Sequence, residues 1–205
     1  MTDTTMTVTN TGVTIHPRWV RVCHWINALA ILVMIGSGWQ VYDASPLFGF
    51  EFPKSIALGN WLGGALLWHF AAMWVLVING LVYVTLGLAT GRFRRKLLPI
   101  YPSEVITDAK AALTFKLAHD DLSHYNAVQK VLYAGVILIG VLIVLSGLAI
   151  WKPVQFQELT ALFGGYDAAR YVHFFAMSAI VGFLVVHVTL ALLVPKSLRA
   201  MIAGR

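Results

Sequence analysis

Four stretches of the chain, residues 19–41, 62–89, 131–151 and 171–194, are each long and apolar enough to cross a bilayer. A spanning helix needs about 20 mainly apolar residues, because each residue rises about 1.5 Å through a hydrocarbon layer roughly 30 Å thick. The last three stretches contain no Asp, Glu, Lys or Arg. Polar connections bearing Pro separate them, which a soluble core helix would not require. A composition of 59% hydrophobic and 12% charged residues points the same way. The expected fold class is an all-α integral membrane protein, a four-transmembrane-helix bundle.

Basic residues set the expected orientation, since Lys and Arg concentrate in cytoplasmic loops. With the N-terminus inside, Arg18, Arg21, Arg92, Arg94, Arg95, Lys96, Lys110, Lys116, Lys130, Lys196, Arg199 and Arg205 lie inside, and only Lys54, Lys152 and Arg170 lie outside. Both termini are therefore expected to be cytoplasmic, in a multi-pass protein of the bacterial inner membrane. The net charge of +6 reflects this asymmetry and contact with the lipid bilayer. It does not call for nucleic acid. Residues 1–14 read as a disordered cytoplasmic tail without a cleaved signal, and residues 15–205 as the membrane domain. Between the second and third spans, Pro102, Ser103 and Glu104 open a short surface helix, with Val105, Ala109, Leu113 and Leu117 on its apolar side.

Histidines inside the spans carry the chemistry. An imidazole in a membrane bundle is costly without a partner and marks a functional site by default. His173 and His187 are fourteen residues apart, nearly four whole turns, so they share one helix face about 21 Å apart along the axis. Counted from the cytoplasmic ends, His24 and His187 lie about 8 and 12 Å deep, whereas His69 and His173 lie roughly 30 and 33 Å deep. They sort into an inner pair, His24 with His187, and an outer pair, His69 with His173. Two histidines alone make a poor tetrahedral zinc site, because zinc takes four ligands. A proton relay would be accompanied by acidic residues, and the last three spans have none. Haem iron takes two axial nitrogens, and its porphyrin fills apolar space between helices. Two haem b groups, held by four histidine ligands to iron, fit this pattern. The single cysteine, Cys23, excludes an internal disulfide and the C-x-x-C-H haem attachment, and reads as a small buried apolar residue.

Arg-x-x-His occurs twice, at Arg21–His24 and Arg170–His173. An arginine three residues before a histidine lies on the same face, placed to pair with a haem propionate, although an interfacial anchor gives the same pattern. Gly38 stands fourteen residues beyond His24, bare where an outer cofactor would pass, and Gly140 and Gly147 share a face of the third span. Small residues also serve plain helix packing. His16, His119 and His124 lie outside the spans and read as solvated.

The set Arg21-x-x-His24-Trp25, His69, and His173 with His187 resembles the four-helix dihaem b-type cytochromes over residues 17–198. These are the membrane subunits of nickel–iron hydrogenases, formate dehydrogenases and thiosulfate reductases. The stretch Tyr125-Asn126-Ala127-Val128-Gln129-Lys130 is similar to the Tyr-Asn-Ala-Gly-Gln-Lys segment beside the quinone of formate dehydrogenase cytochromes. The resemblance implies Asn126 and Gln129 as quinone contacts, and Val128 departs from its glycine. A helix start with Asn126 as N-cap explains the same residues. Trp151-Lys152-Pro153 and the Leu162 to Tyr166 loop are similar to cytochromes that accompany a periplasmic molybdopterin oxidoreductase. The implied function is electron transfer between a periplasmic redox partner (such an oxidoreductase, a dehydrogenase or a c-type cytochrome) and exchangeable quinone. A stand-alone oxidoreductase meeting a small oxidant such as superoxide at the outer haem is the alternative within the family. A metal-ion permease and a passive anchor are the rivals outside it, and neither explains paired histidines at two depths.

Overall fold

A computed structural model describes residues 15–113 and 125–204. The described residues form eight helices and no strand. Four are long and apolar enough to span a membrane: α1 (Arg18–Asp43), α2 (Leu62–Ala89), α5 (Ala127–Trp151) and α7 (Tyr166–Leu193). Four are short: α3 (Arg92–Leu97), α4 (Pro102–Leu113), α6 (Gln157–Leu162) and α8 (Pro195–Ala203). The second span has the expected bounds. The other three begin earlier than their apolar stretches, by one residue in α1, four in α5 and five in α7. Their polar first turns are helical extensions that hydropathy alone does not register.

The long helices pack as two antiparallel hairpins, α1 with α2 and α5 with α7, and close backbone approaches between the hairpins are few. Small residues make the tight contacts within each hairpin: Ala65, Ala149 and Ala169 are fully buried, with Ala72 and Ala176 nearly so. Large apolar side chains such as Leu67, Trp74, Leu138 and Leu190 are exposed, as lipid-facing residues are. The core therefore consists of two small-residue seams, one within each hairpin.

Turn chemistry fixes the ends. Asn126 caps α5 through a capping box, its side-chain oxygen accepting from Gln129 N–H at 2.8 Å while Gln129 Oε1 accepts from Asn126 N–H at 3.2 Å. The Asp108 carboxylate of α4 accepts from Ala127 N–H at 2.7 Å, docking the surface helix on the same helix start. Gly59 at φ +115° could carry no side chain, since a Cβ there would lie 2.4 Å from the Ala65 backbone nitrogen. At the opposite end of the bundle, Ile15 N–H donates to Gly204 carbonyl at 3.0 Å, so the two ends of the described chain meet on one side.

Candidate functional site

The helix register brings the four span histidines together in the expected pairs. His24 of α1 faces His187 of α7 with ring centroids 5.9 Å apart and planes at 65°. His69 of α2 faces His173 of α7 at 6.4 Å and 63°. Two imidazoles bound on opposite sides of one metal, at about 2.0 Å per metal–nitrogen bond, hold their centroids roughly 6 Å apart. Both pairs meet that spacing. Among the described residues no cluster of three or more His, Cys, Asp or Glu side chains forms, so each pair stands as two nitrogen donors.

The outer pair has a built surround that sequence reasoning missed. The His69 Nδ1 atom lies 3.0 Å from Ser37 Oγ, which itself lies 3.3 Å from the Met34 carbonyl oxygen. The His173 Nδ1 atom lies 3.1 Å from both Ser146 Oγ and the Ile143 carbonyl oxygen. A carbonyl oxygen only accepts, so Nδ1 of His173 carries the proton and Nε2 keeps its lone pair. Each serine hydroxyl donates to a carbonyl of its own helix, Ser37 to Val33 at 2.6 Å and Ser146 to Leu142 at 2.8 Å. The glycines serve these rings. A Cβ on Gly38 would lie 3.4 Å from His69 Cε1, and one on Gly147 3.2 Å from His173 Cε1. Gly38 thus makes room for a histidine of the neighbouring helix, where the sequence reading expected it to face a cofactor directly. Gly140, by contrast, meets nothing within 4 Å. The available signal was the Ser-Gly dipeptide on both α1 and α5 at the height of a histidine.

At the inner pair the neighbours are rings. Trp25 meets His24 edge-on at 5.3 Å, and Phe183 stacks on His187 at 5.5 Å and 11°. Asn79 of α2 bridges to α1 through the Cys23 carbonyl at 2.8 Å and Asn27 Oδ1 at 2.7 Å, one turn from His24. Cys23 is buried, as expected.

The arginines reach out from the histidine faces. Arg21 donates from Nη1 to the Ile202 carbonyl at 2.7 Å, at the C-terminal end of α8, where a cation opposes the helix dipole. Its Nε is buried without a partner. Arg170 donates to the Ser45 carbonyl and, at 3.2 Å, to Ser45 Oγ, tying α7 to the end of α1; Asp167 lies 3.9 Å away. Near the inner end, Arg92 Nη2 approaches His16 Nδ1 at 3.2 Å. His16 is pushed down to about 4 by burial first, and then by the charges of Arg92 and Lys96. It is therefore a neutral, partly buried side chain, where the sequence suggested a solvated one. Burial also raises the Tyr125 phenol, against the pull of Arg92. A cavity of about 320 Å³ opens between α4 and the start of α5, lined by Tyr125, Asn126, Asp108, Thr107 and Lys130 among others. Asn126 thus touches the cavity, while Gln129 serves the capping box. His119, His124 and Leu117 lie outside the described residues.

A family model described as prokaryotic cytochrome b561 matches residues 15–204. The chain is 53% identical over 190 residues to a putative protein-methionine-sulfoxide reductase subunit YedZ1 of Azospira oryzae, covering 93% of this chain and 96% of that protein. It is 23% identical over 185 residues to a probable Ni/Fe-hydrogenase B-type cytochrome subunit of Bradyrhizobium diazoefficiens, covering 82% of this chain and 73% of the relative. With four membrane-length helices and this match over nearly its whole length, the chain belongs to the prokaryotic cytochrome b561 family of multi-pass, b-type electron-transfer proteins.

Proposed function

We propose that this protein carries electrons across the bacterial inner membrane through two b haems, exchanging them with quinone at the inner level and with a periplasmic oxidoreductase at the outer level. The carrying observation is the pair of cross-helix imidazole contacts at 5.9 and 6.4 Å, a spacing at which two histidines could share one iron between them. His24 and His187 would hold the inner haem, and His69 and His173 the outer one. Bound there, haem supplies one-electron chemistry, with a potential set by its axial ligands, burial and neighbouring charge.

The chain's own groups fit such a cofactor. The backbones of the two hairpins approach each other closely at few points, and the residues of the spans are mainly apolar, as a porphyrin face requires. The buried, unpartnered Nε of Arg21, one turn from His24, is a donor for an anionic propionate. Arg170 stands in the same relation to His173, with its guanidinium also fastening the α1 end. The capping box uses the side-chain oxygens of Asn126 and Gln129 and leaves their amide NH₂ groups outside it, as donors suited to a quinone carbonyl. Twelve basic residues on the side of the termini favour both termini being cytoplasmic.

The relative named as a methionine-sulfoxide reductase subunit supports an outward direction. Reduction of a sulfoxide to a sulfide consumes two electrons and two protons and releases water. One quinol would supply the two electrons in single-electron steps, releasing its own protons at the inner level, and the protons for the sulfoxide would come from the outer solution. The partner would then be the catalytic subunit of a sulfoxide reductase on the outer surface.

A pyridine haemochrome count and a redox titration of the purified chain test the reading. Two haems per chain are expected, falling to one in either His69→Leu or His187→Leu. A colourless protein, or a His187→Leu variant with two haems, overturns it. Proteoliposomes supplied with quinol and an external reductase then test the direction.

A further inference from the structure

We infer that Ser37 and Ser146 are positioning residues for the outer histidine pair, each accepting the Nδ1 proton of one ring so that both rings present Nε2 as strengthened iron donors. The inference rests on the dihaem reading above and adds to it a physical difference between the two sites.

Two different helices carry the same device at the same spacing. In α1 it is Met34, Ser37 and Gly38; in α5 it is Ile143, Ser146 and Gly147. In each, the carbonyl of the first residue lies beside the serine hydroxyl, Met34 at 3.3 Å from Ser37 Oγ and Ile143 at 3.2 Å from Ser146 Oγ, and the Ile143 carbonyl also accepts from the imidazole of His173. The serine three positions on places its Oγ at 3.0 or 3.1 Å from Nδ1 of a histidine on the neighbouring helix. The glycine beside it leaves room for Cε1, where a Cβ would approach within 3.4 or 3.2 Å. Both serines are 0% exposed. Their hydroxyl protons are committed to Val33 and Leu142 carbonyls, so toward histidine each Oγ offers a lone pair. Ser178 makes the same back-bond, to Phe174 at 2.9 Å, but touches neither outer ring. The back-bond is thus common, and what sets Ser37 and Ser146 apart is the imidazole on their other side.

An imidazole that donates its second N–H to an oxygen is fixed in one tautomer and orientation, and binds metal as a stronger base. A stronger axial base favours the ferric state and lowers the potential. His24 and His187 have ring neighbours and, among the described residues, no hydrogen-bonded partner. The serines therefore hold the outer potential below the value its ligands alone would set. They also restrain the rotation of each outer ring, which the EPR signal of a ferric haem held there would report.

Redox titration with EPR of the purified full chain tests this in Ser37→Ala, Ser146→Ala, the double variant and the control Ser178→Ala. His69→Leu, keeping the inner pair alone, assigns the midpoints. Each alanine at Ser37 or Ser146 is expected to raise the outer reduced-to-oxidised ratio at fixed potential by up to about tenfold, or about 59 mV for one electron. The two shifts should add, the outer EPR signal should move, and the inner midpoint and Ser178→Ala should stay as in wild type. A packing role alone would change melting or haem retention without moving a midpoint. If a variant loses the outer haem, Ser→Thr at that position must restore both haem and midpoint, and failure to do so overturns the inference. A double variant with two haems, wild-type midpoints and an unchanged EPR signal also overturns it. Wild-type protein with fewer than two haems would instead refute the dihaem reading.

Discussion

Alanine at Gly147 and alanine at Gly38 should have different effects, although both glycines lie against an outer histidine. A Cβ at Gly147 would lie 3.2 Å from His173 Cε1 and 3.5 Å from Nδ1, inside the carbon contact optimum of about 3.5–4.0 Å. The ring must retreat by a few tenths of an ångström, yet its Nδ1 is held at 3.1 Å by both Ser146 Oγ and the Ile143 carbonyl. Overpacking of this kind costs about 1 kcal/mol, the low end of the range for an inserted methyl. Replacing a mid-helix glycine returns about 0.5–1 kcal/mol of backbone entropy. The two nearly cancel in stability, but the ring still moves. At Gly38 the nearest atom is 3.4 Å away, an ordinary contact, so the entropy gain stands alone. Gly38→Ala should therefore melt slightly higher than wild type with little change in the outer haem spectrum. Gly147→Ala should melt near wild type with a shifted outer spectrum, and Gly147→Leu should drive the ring away and leave one haem per chain. Melting temperature, pyridine haemochrome count and EPR on the three variants are the assay. Two haems at wild-type midpoints in Gly147→Leu would refute the placement of His173 against that glycine.

Three further perturbations probe the inner end. Arg21→Gln removes a cation one turn from His24 together with the bond to the Ile202 carbonyl; it should lower the inner midpoint and cost about 1 kcal/mol of stability, read by redox titration and by proteolysis of the C-terminal helix. His16 ordinarily titrates near 6.5 and does so at about 4 in the fold, so only the unfolded chain gains its proton between these values. Its contribution is constant above pH 6.5, and stability falls as pH drops from 6.5 to 4; His16→Gln should flatten melting temperature over that window, and an unchanged pH profile would contradict the burial of His16. Asn126→Ala should lose the N-cap at about 1 kcal/mol, whereas Asn126→Asp keeps the capping oxygen and discards the NH₂ donor. Stability retained in Asn126→Asp with slower quinol oxidation would assign the amide to quinone, and equal rates would leave it a cap alone.

Hydropathy and helical periodicity make much of the fold legible in the sequence, because each span is a long, mainly apolar run and each histidine is one of its few polar exceptions. The pairing of His24 with His187 and of His69 with His173 followed from depth alone, since rise per residue is a fixed property of the helix. Side-chain reach was less legible. Arg21 and Arg170 share a face with their histidines, but their long stems carry the guanidinium to the Ile202 and Ser45 carbonyls, and spacing says nothing about carbonyls from distant parts of the chain. Ser37 and Ser146 were overlooked because serine in a membrane helix usually satisfies itself on its own backbone, which these residues also do. Gly38 was noticed for its register with His24, whereas its partner is on α2, a relation that appears only when the hairpin packs. The helices α3, α6 and α8 are too short for periodicity to announce them.

The hairpin architecture explains why the two histidine pairs differ mechanically. His69 is buttressed by α1 and His173 by α5, so each outer ring is held by the helix packed most tightly against its own. The outer pair then forms between the two hairpins, each Nδ1 within hydrogen-bond distance of a serine hydroxyl. The inner pair joins α1 to α7, with Trp25 edge-on to His24 and Phe183 stacked on His187, contacts that restrain a ring without directing its proton. Directed hydrogen bonds fix orientation to within narrow angles, while aromatic contacts tolerate several.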